Sequence, residues 1–488
     1  MGYSGDLESL NGRPLPKWYD DAKFGIFIHW GVWAIPGFAP RLGSISDAFK
    51  NDYKRAVAMV PYTEWYANAI KVPGTPSAEF HAQTYGNRPY TDFKAPFLEG
   101  LKQWDPAEWA ETFRNAGAKY VVLVTKHHDG FCLWPSNVRN RHEKDWMTER
   151  DVVGELARAV RALGMRFGVY YSGGIDWTFN REPLRTFGDF IGSTPTGDYP
   201  AYAKAQVREL IERYEPSVLW NDISWPTGQD ELLDLFADYY NAVPEGVVND
   251  RWVHAGLFSK AMHFKMARRL FDYVAQRHIA KNPKAVEGVI PQPIPHSDFR
   301  TPEYTRFSTF QKKKWEATRG MSYSFGFNRN DHEEDYASAD TLLSDFIDGV
   351  SKGGNLLLNV GPRATDARIP AEQISRLKAF GEWLAENGPA IYGTAPWRRD
   401  DSDCSDAVTD ADIPVRFTRK ERTVNVIPLG RPAGASLRVR DVTLDGTAQL
   451  VADGSPVVMR REGADTVFEF RQSLNGKFAP AIAVNTKE

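Results

Sequence analysis

Residues 216–225 read Pro216-Ser-Val-Leu-Trp-Asn-Asp-Ile-Ser-Trp225. The stretch opens with a short apolar run and then places a carboxylate, Asp222, between Trp220 and Trp225. In an α/β barrel or an open α/β sheet, the residue that follows a strand points into the mouth where ligands bind. An aspartate after a strand is also a common N-cap for the next helix. The stretch therefore predicts a buried strand that ends in a candidate functional carboxylate.

On both sides of this stretch, helical patterns alternate with short apolar runs. The helical pattern over 151–164 precedes the apolar run 166–172, and the helical pattern over 199–214 precedes the apolar run that starts at Val218. This alternation is typical of parallel β/α units. We therefore predict an α/β fold, a (β/α)8-like TIM barrel, with an eighth strand in the irregular region before residue 100. The other seven strands are predicted at 23–29, 120–128, 166–172, 218–222, 246–250, 322–327 and 355–360.

The sequence also predicts where the barrel ends. Residues 1–395 are assigned to it, with an insertion at about 253–295, where the alternation gives way to a basic, partly helical segment and a proline cluster. We expect the insertion to lie over one end of the barrel. Residues 396–488 hold short alternating runs separated by Gly, Asp and Asn turns, a pattern typical of a small antiparallel β-sandwich.

Composition narrows the class of partner. The net charge of -3 gives no basic surface for nucleic acid. We expect no membrane partner, because no apolar run is long enough to cross a bilayer. Cys132 and Cys404 are the only cysteines, which excludes a disulfide framework and argues against a cysteine zinc site, although one bridge between them stays open. The compartment is left open between the cytoplasm and a periplasmic or secreted location after removal of a leader.

Polar residues end several of the predicted strands, and in a barrel they would share one mouth. Helix capping explains one or two of them but not the whole set. The residues are His29, His127, His128, Tyr171, Asp222, Asp250 and Arg251.

One chemistry for this set is a divalent metal that activates water, held by His29, His127, His128 and Asp222. Adjacent residues of a strand point to opposite faces, so His127 and His128 are not expected to bind one ion together. The spacings His-x-His and His-Glu-x-x-His are also absent. We therefore predict no metal or other cofactor, with a metal-dependent barrel hydrolase as an alternative.

The second chemistry is glycoside cleavage, which needs two carboxyl groups. Asp222 would be the nucleophile, and the neighbouring tryptophans would offer a flat apolar wall to a sugar. Glu64, Glu303 and Glu316 all lie near aromatic residues and are candidates for the proton donor. Spacing does not choose among these three.

Seven motifs, in order along the chain, resemble those of the α-L-fucosidases of glycoside hydrolase family 29, most closely its broad-specificity bacterial branch. They are Phe24-Gly-Ile-Phe-Ile-His-Trp-Gly31, Lys126-His-His-Asp-Gly-Phe131, Leu219-Trp-Asn-Asp-Ile-Ser-Trp225, Asn249-Asp-Arg-Trp252, Asp298-Phe-Arg-Thr-Pro-Glu-Tyr304, Lys314-Trp-Glu316 and Gly353-Gly-Asn-Leu-Leu-Leu-Asn-Val-Gly-Pro362. The C-terminal pattern also resembles the β-sandwich of that family.

The resemblance assigns roles to particular residues. Asp222 matches the family's nucleophile and Glu303 its acid/base. Glu316 stays as the rival of Glu303, because the segment between Arg251 and Glu303 is longer than in compact bacterial members. The positions that match fucose-binding residues are His29, Glu64, Trp65, His127, His128, Tyr171, Trp220, Arg251 and Phe325.

The resemblance also implies an activity. We expect an exo-acting, retaining α-L-fucosidase (EC 3.2.1.51) that acts on fucosides and fuco-oligosaccharides, with transfucosylation as a further activity. No cofactor is implied, and a homo-oligomer is expected because family members are often oligomers. The alternative from another class is a fucose-binding, lectin-like protein with a degenerate site.

Overall fold

A computed structural model describes residues 2–86, 88–282, 289–397, 406–474, 478 and 480–486 of the chain. Two sheets organise these residues, one parallel with seven strands and one antiparallel with nine. The parallel sheet has the order β5-β4-β3-β2-β1-β7-β6. Its strands are β1 (Phe24–Ile28), β2 (Tyr120–Lys126), β3 (Arg166–Ser172), β4 (Val218–Asp222), β5 (Val247–Val248), β6 (Trp315–Arg319) and β7 (Gly354–Val360).

Nearly all residues of these strands are buried, which is why most of them form continuous apolar runs in the sequence. Gly25 of β1 allows close packing in the barrel interior, because a Cβ at this position would lie 2.5 Å from the ring of Tyr120. Helices cover the outside of the barrel, as expected for β/α units. The predicted α/β barrel is confirmed.

The barrel closes through residues 298–303, which lie between β5 and β6. The Asp298 amide donates to the Val248 carbonyl at 2.9 Å, and the Glu316 amide donates to the Arg300 carbonyl at 2.8 Å. Arg300 and Trp315 form a parallel bridge, as do Glu303 and Thr318. This segment takes the place of the eighth strand. The prediction of an eighth strand before residue 100 is wrong, since β1 is the only strand within residues 2–86 and 88–100.

The strand predicted at 322–327 is also wrong, because that run is a loop and β6 lies just before it. In β6 the side chains of Glu316 and Thr318 are buried, so the strand lacks the apolar run that the prediction relied on. In the loop, Gly326 packs so closely that a Cβ would lie 2.4 Å from the Thr63 hydroxyl. The sixth strand was therefore predicted too late in the chain, because β6 buries polar side chains and has no apolar run.

The helices agree more closely with the sequence patterns. The helix predicted over 199–214 is confirmed as Tyr199–Tyr214, and the pattern over 151–164 forms a helix with Asp151 as its N-cap, which accepts a hydrogen bond from the Gly154 amide at 2.9 Å. None of the helices in the described ranges is long and apolar enough to cross a bilayer. The helices are α1 (Leu7–Asn11), α2 (Lys17–Ala22), α3 (Ile45–Asn51), α4 (Tyr66–Ala69), α5 (Pro76–Tyr85), α6 (Lys94–Leu101), α7 (Pro106–Asn115), α8 (Val152–Ala162), α9 (Phe187–Ile191), α10 (Tyr199–Tyr214), α11 (Gln229–Ala242), α12 (Leu257–Met262), α13 (Lys265–Lys281), α14 (Ala339–Ser351) and α15 (Ala371–Asn387).

The segment predicted as an insertion contains α12 and α13. Helix α13 packs against α9 and α3. The Asp272 carboxylate of α13 accepts hydrogen bonds from the Tyr53 hydroxyl at 3.0 Å and from the Gly188 amide at 2.7 Å. Arg268 forms an ion pair with Asp189 at 3.1 Å. These contacts fix α13 against the loops that follow the barrel strands.

The second sheet carries the C-terminal part of the chain, and its antiparallel pairing confirms the predicted β-sandwich. Its strands enclose a separate apolar core that includes Phe417, Val426, Phe468 and Val484. The predicted boundary at 395/396 falls within its first strand. The strands are β8 (Ala395–Pro396), β9 (Ala407–Val408), β10 (Pro414–Lys420), β11 (Thr423–Pro428), β12 (Ser436–Val439), β13 (Gly446–Leu450), β14 (Pro456–Glu462), β15 (Asp465–Glu469) and β16 (Ile482–Thr486). Cys132 is a buried free thiol, and Cys404 lies outside the described residues.

A buried charge cluster joins the barrel to the sandwich. Asp348 of α14 accepts hydrogen bonds from Lys352, from Arg416 of β10 at 2.5 Å and from Arg306 at 2.7 Å. Burial of Asp348 opposes its ionisation, but the hydrogen bonds from Lys352, Arg416 and Arg306 outweigh burial and lower its pKa to about 2. The ionised carboxylate therefore holds three cations at the junction.

We predict that Asp348→Asn lowers the free energy of unfolding by about 3 kcal/mol, because it removes the hydrogen-bonded counter-ion of the buried Lys352 and Arg416 and leaves them only the 42% exposed Asp406, at 3.5 and 3.4 Å. The loss should be full above the ordinary aspartate pKa of 3.8 and fade as the pH falls towards the folded-state pKa of about 2. Urea unfolding at pH 7 and pH 3 measures it.

The matched control is Asp340→Asn. Asp340 also links α14 to the sandwich, through Arg431, but the two side chains are 48% and 54% exposed. A surface pair of this kind contributes less than about 1 kcal/mol. Equal losses in the two variants would contradict the assignment of Asp348 to the junction.

Candidate active site

A cavity of about 450 Å³ opens at the carboxyl edge of the parallel sheet. The strands carry the predicted polar residues to this edge: His29 follows β1, His127 and His128 follow β2, and Arg251 follows β5. Parallel strands bring their carboxyl ends together, so residues distant in sequence become neighbours. Of the predicted site residues, those that line the cavity are His29, Glu64, Trp65, His127, His128, Trp220, Asp222, Arg251, Glu303 and Phe325.

The two predicted catalytic carboxylates share one guanidinium. Arg251 Nη1 donates to Asp222 Oδ1 at 3.2 Å, and Arg251 Nη2 donates to Glu303 Oε2 at 2.8 Å. The guanidinium is itself fixed by Thr301, whose hydroxyl accepts from Arg251 Nε at 3.0 Å. The second oxygen of Glu303 accepts from the Tyr62 hydroxyl at 3.1 Å. Arg251 therefore holds both carboxylates in the same part of the cavity.

Asp222 is oriented by two further donors. The Tyr170 hydroxyl donates to Oδ2 at 2.8 Å, and the amide of Ile223 donates to Oδ1 at 2.9 Å. Ile223 has a φ of 70°, and Tyr304, directly after Glu303, has a φ of 50°. A β-branched residue in the left-handed region is strained by roughly 1–3 kcal/mol. Both candidate catalytic residues are thus followed by a backbone conformation that L-residues seldom adopt.

The hydrogen-bond network sets the tautomer of two histidines. His29 Nδ1 lies 2.6 Å from Asn359 Oδ1, and the Asn359 amide donates to a backbone carbonyl. His128 Nδ1 lies 2.7 Å from the Ser172 hydroxyl, which also donates to a backbone carbonyl. Both partners accept from the imidazole, so in each ring Nδ1 carries the proton and Nε2 is an acceptor.

Burial keeps these imidazoles neutral. It lowers the pKa of His29 to about 3 and that of His128 to about 4, and it holds the pKa of His127 well below its usual value. Burial also raises the pKa of Glu64 to about 7, although the Gly326 amide donates to its carboxylate at 3.1 Å. The site therefore presents neutral acceptors beside the carboxylates, which suits a hydroxyl-rich neutral ligand better than an anion.

Aromatic rings form one wall of the cavity. The rings of His127 and Tyr170 stack at 5.5 Å, and those of Tyr170 and Trp220 stack at 5.4 Å. The Arg251 guanidinium lies 5.0 Å from the centre of the Trp220 ring. Phe325 lies against His29, with 4.9 Å between the ring centres. Flat aromatic surfaces of this kind pack against the apolar face of a sugar.

Tyr171 does not reach the cavity, and Tyr170 takes the place predicted for it. The Tyr171 hydroxyl donates to Gln206 of α10 at 3.0 Å, outside the barrel. Successive strand side chains point to opposite faces. Tyr170 is the register partner of Trp220 and shares its inward face, whereas Tyr171 is paired with Asn221.

Glu316 does not line the cavity either. It lies on β6 and is fully buried, and its Oε2 accepts from the hydroxyls of Tyr19 at 2.8 Å and Tyr120 at 2.5 Å. Tyr120 begins β2, so this carboxylate lies towards the amino end of the barrel, away from the mouth. Of the two rivals for the proton donor, only Glu303 shares the cavity with Asp222.

The geometric objection to a metal site is wrong. His127 and His128 both line the cavity, with 4.0 Å between their ring centres, because they lie beyond the end of β2 and do not alternate as strand residues do. Ligand atoms of His29, Glu64 and His127 lie within 4.8 Å of one another, as do those of His127, His128 and Asp222. By distance these sets fit a divalent ion, so a chelator test belongs with the first activity assay.

Several residues of the site gave no signal in the sequence. Asn359 lies inside the apolar run of β7, and Ser172 ends β3; each holds a histidine. Tyr62, beside the predicted Glu64 and Trp65, contacts Glu303. Their partners are more than 40 residues away in the chain, so only the fold identifies these roles.

Comparison with known proteins agrees with this geometry. A family model described as Alpha-L-fucosidase matches residues 1–389. The tissue alpha-L-fucosidase of Bos taurus is 33% identical over 410 residues, which cover 81% of this chain and 73% of that protein. An alpha-L-fucosidase of Branchiostoma floridae is 34% identical over 445 residues, covering 89% of this chain and 83% of that one.

Solved structures agree as well. The Thermotoga maritima alpha-fucosidase in complex with a mechanism-based inhibitor is 40% identical, with a TM-score of 0.82 over 99% of this chain and 100% of that one. An alpha-L-fucosynthase of Thermotoga maritima, in complex with alpha-L-Fuc-(1-2)-beta-L-Fuc-N3, has the same identity of 40% and TM-score of 0.82, with 99% of each chain covered. The chain therefore belongs to the α-L-fucosidases of glycoside hydrolase family 29 and is a glycoside hydrolase (EC 3.2.1.51).

Proposed function

We propose that this chain is an exo-acting, retaining α-L-fucosidase that removes terminal α-L-fucose from fucosides and fuco-oligosaccharides. The observation that carries the proposal is the pair Asp222 and Glu303, held by one guanidinium in a single cavity. Retaining glycosidases use such a pair, one carboxylate as nucleophile and the other as acid/base. The family supports fucose as the sugar.

The rest of the cavity supports recognition of a single sugar. The Nε2 atoms of His29 and His128 are acceptors for sugar hydroxyls, and Glu64 adds a carboxyl group beside them. Trp220 and Phe325 offer apolar surface for a sugar face and for the C6 methyl group of fucose. Phe27, Tyr170 and Trp220 are buried residues of the barrel strands that line the cavity, which supports a site closed on the barrel side and hence exo-action on a terminal sugar.

The reaction follows from the positions of the two carboxylates. Asp222 attacks the anomeric carbon while Glu303 donates a proton to the departing oxygen, which forms a fucosyl-enzyme. Glu303 then accepts a proton from water, and the water oxygen attacks the same carbon and releases fucose. An alcohol in place of water gives transfucosylation. Arg251 contacts both carboxyl groups, so this cation does not distinguish them. Their positions relative to the sugar decide which one is the nucleophile and which one is the acid/base.

Release of nitrophenol from p-nitrophenyl α-L-fucoside, with and without EDTA, tests the activity. We expect the same turnover in both conditions, because the chemistry needs only carboxyl groups. Activity that EDTA removes and zinc restores would favour the metal-dependent hydrolase instead. Tight fucose binding without turnover of any fucoside would favour the lectin-like alternative.

Asp222→Gly tests the nucleophile. We expect turnover of the nitrophenyl fucoside to fall by several orders of magnitude and to recover in azide, with β-fucosyl azide as the product, because azide fits the space that the side chain leaves. Product analysis by NMR measures this. An unchanged circular dichroism spectrum is the folding control, and failure of azide rescue in a folded variant would contradict the assignment.

Glu303→Gln and Glu316→Gln separate the two rivals for the acid/base. Loss of general acid catalysis lowers rates by about 10²–10⁴-fold. We expect Glu303→Gln to show such a loss with alkyl or sugar leaving groups and a smaller one with nitrophenol, which departs without a proton. Glu316→Gln, the matched control, should show no dependence on the leaving group. The reverse pattern would assign the role to Glu316.

A further inference from the structure

We propose that the outer part of the cavity is an aglycone site for apolar leaving groups, so that aryl and alkyl α-L-fucosides are preferred over fucosides of sugars. This inference rests on the proposed function and specifies the class of substrate for the same site. The apolar surface involved is called the outer wall. It consists of Phe49, Val57, Val60, Phe187, Phe190 and Ile279, all of which line the cavity.

The cavity has two chemically different ends. The inner end carries the carboxylates, the histidines and Arg251, all of which the catalytic proposal uses. The outer wall comes from three separate segments: 49–60, helix α9 and helix α13. Of the other hydrogen-bonding side chains that line the cavity, Tyr62 and Tyr170 already donate to Glu303 and Asp222, and Thr318 donates to the Pro302 carbonyl. Gln292 adds one more.

The outer wall is more than the inner surface of the barrel core. Its side chains belong to a hydrophobic cluster of their own, which also contains Trp65 and Phe325 of the fucose end. Phe187 and Phe190 are only half-buried, and their rings lie nearly parallel, at 11°, with centres 5.9 Å apart. Phe190 also lies 6.1 Å from Trp65. An apolar surface thus runs from Trp65 to the two half-buried rings of α9, which are the accessible part of the outer wall. The other four residues line the cavity but are at most 8% exposed.

Ile223 connects this surface to the reacting groups. It directly follows Asp222, is half-buried and lines the cavity. An aglycone that extends from the anomeric oxygen past Ile223 meets the outer wall.

The chemistry of this surface selects the leaving group. A sugar aglycone placed there would lose water from several hydroxyl groups with few partners to replace it, which is unfavourable. An alkyl or aryl group would exchange water for apolar contact, which favours binding by about three- to fourfold for each buried methylene. The outer wall therefore fits an apolar aglycone better than a sugar.

A second cavity offers the competing path. It has a volume of about 390 Å³ and shares Ile45, Tyr62, Val289 and Glu303 with the first. Its other lining residues include the polar side chains of Ser44, Arg319 and Tyr323. A sugar leaving group would find hydrogen-bonding partners there. If the leaving group occupies the first cavity, apolar leaving groups are preferred. If it occupies the second cavity, sugar leaving groups are preferred.

The test uses methyl, butyl, hexyl and octyl α-L-fucosides, with released fucose as the readout. Their leaving groups are similar in acidity, so differences in kcat/KM report contacts of the chain. Methyl fucoside leaves the outer wall empty and measures the basal reaction. For wild type we expect kcat/KM to rise about threefold per methylene until the outer wall is covered.

Phe190→Ala and Ile279→Ala should flatten this rise while methyl fucoside is still hydrolysed. Tyr323→Ala is the matched control, because it removes a large side chain from the second cavity, and it should leave the rise unchanged. Two variants on different helices guard against loss of fold in either one.

Hydrolysis of methyl fucoside with no dependence on chain length would overturn the aglycone site and leave the proposed function intact. Faster turnover of a fucosyl disaccharide than of octyl fucoside, lost in Tyr323→Ala, would overturn it in favour of the second cavity. If no fucoside is hydrolysed, the proposed function fails. In that case, calorimetry measures the affinities for octyl and methyl fucoside and tests the aglycone site without catalysis. Tighter binding of octyl fucoside would support the site, and equal affinities would overturn it.

Discussion

Closure of the barrel by residues 298–303 is the constraint on which the active site depends. This segment joins the two edges of the parallel sheet, and it carries Glu303 at its end. Within it, Thr301 donates to the Asp250 carboxylate at 2.6 Å and accepts from Arg251 at 3.0 Å. The same contacts that close the barrel therefore place the acid/base candidate on the guanidinium that holds Asp222. Closure of the barrel and assembly of the site therefore depend on the same segment.

Charge is distributed in the site so that a neutral, hydroxyl-rich ligand is favoured. The guanidinium of Arg251 contacts both carboxyl groups, and burial keeps the histidines uncharged. Asn359 and Ser172 hold two of these rings with the acceptor nitrogen free. Pre-set acceptors need no reorganisation when a sugar binds, which lowers the entropic cost of recognition.

The segment 253–295 links the specificity of the site to its chemistry. It supplies Ile279 to the outer wall, and its end pairs with the closing segment, where the amide of Glu303 donates to the Val289 carbonyl at 2.7 Å. Asp272 fixes its long helix to the loops over the barrel. A change in this segment is thus expected to alter the proposed aglycone site beside Glu303, the proposed proton donor.

The sequence by itself determined the barrel class, the sandwich, the helices over 151–164 and 199–214 and the candidate carboxylate at the end of β4, because burial of whole parallel strands and capping of helices leave local patterns. His29, His127, His128 and Arg251 reached the cavity for the same reason, because they follow strands. Only the tertiary structure decided which of Tyr170 and Tyr171 faces inward, since the pairing of β3 with β4 sets which alternate side chains of the strand point into the barrel. It also decided that Glu303 and not Glu316 shares the cavity with Asp222, because closure of the barrel joins residues that no local pattern connects.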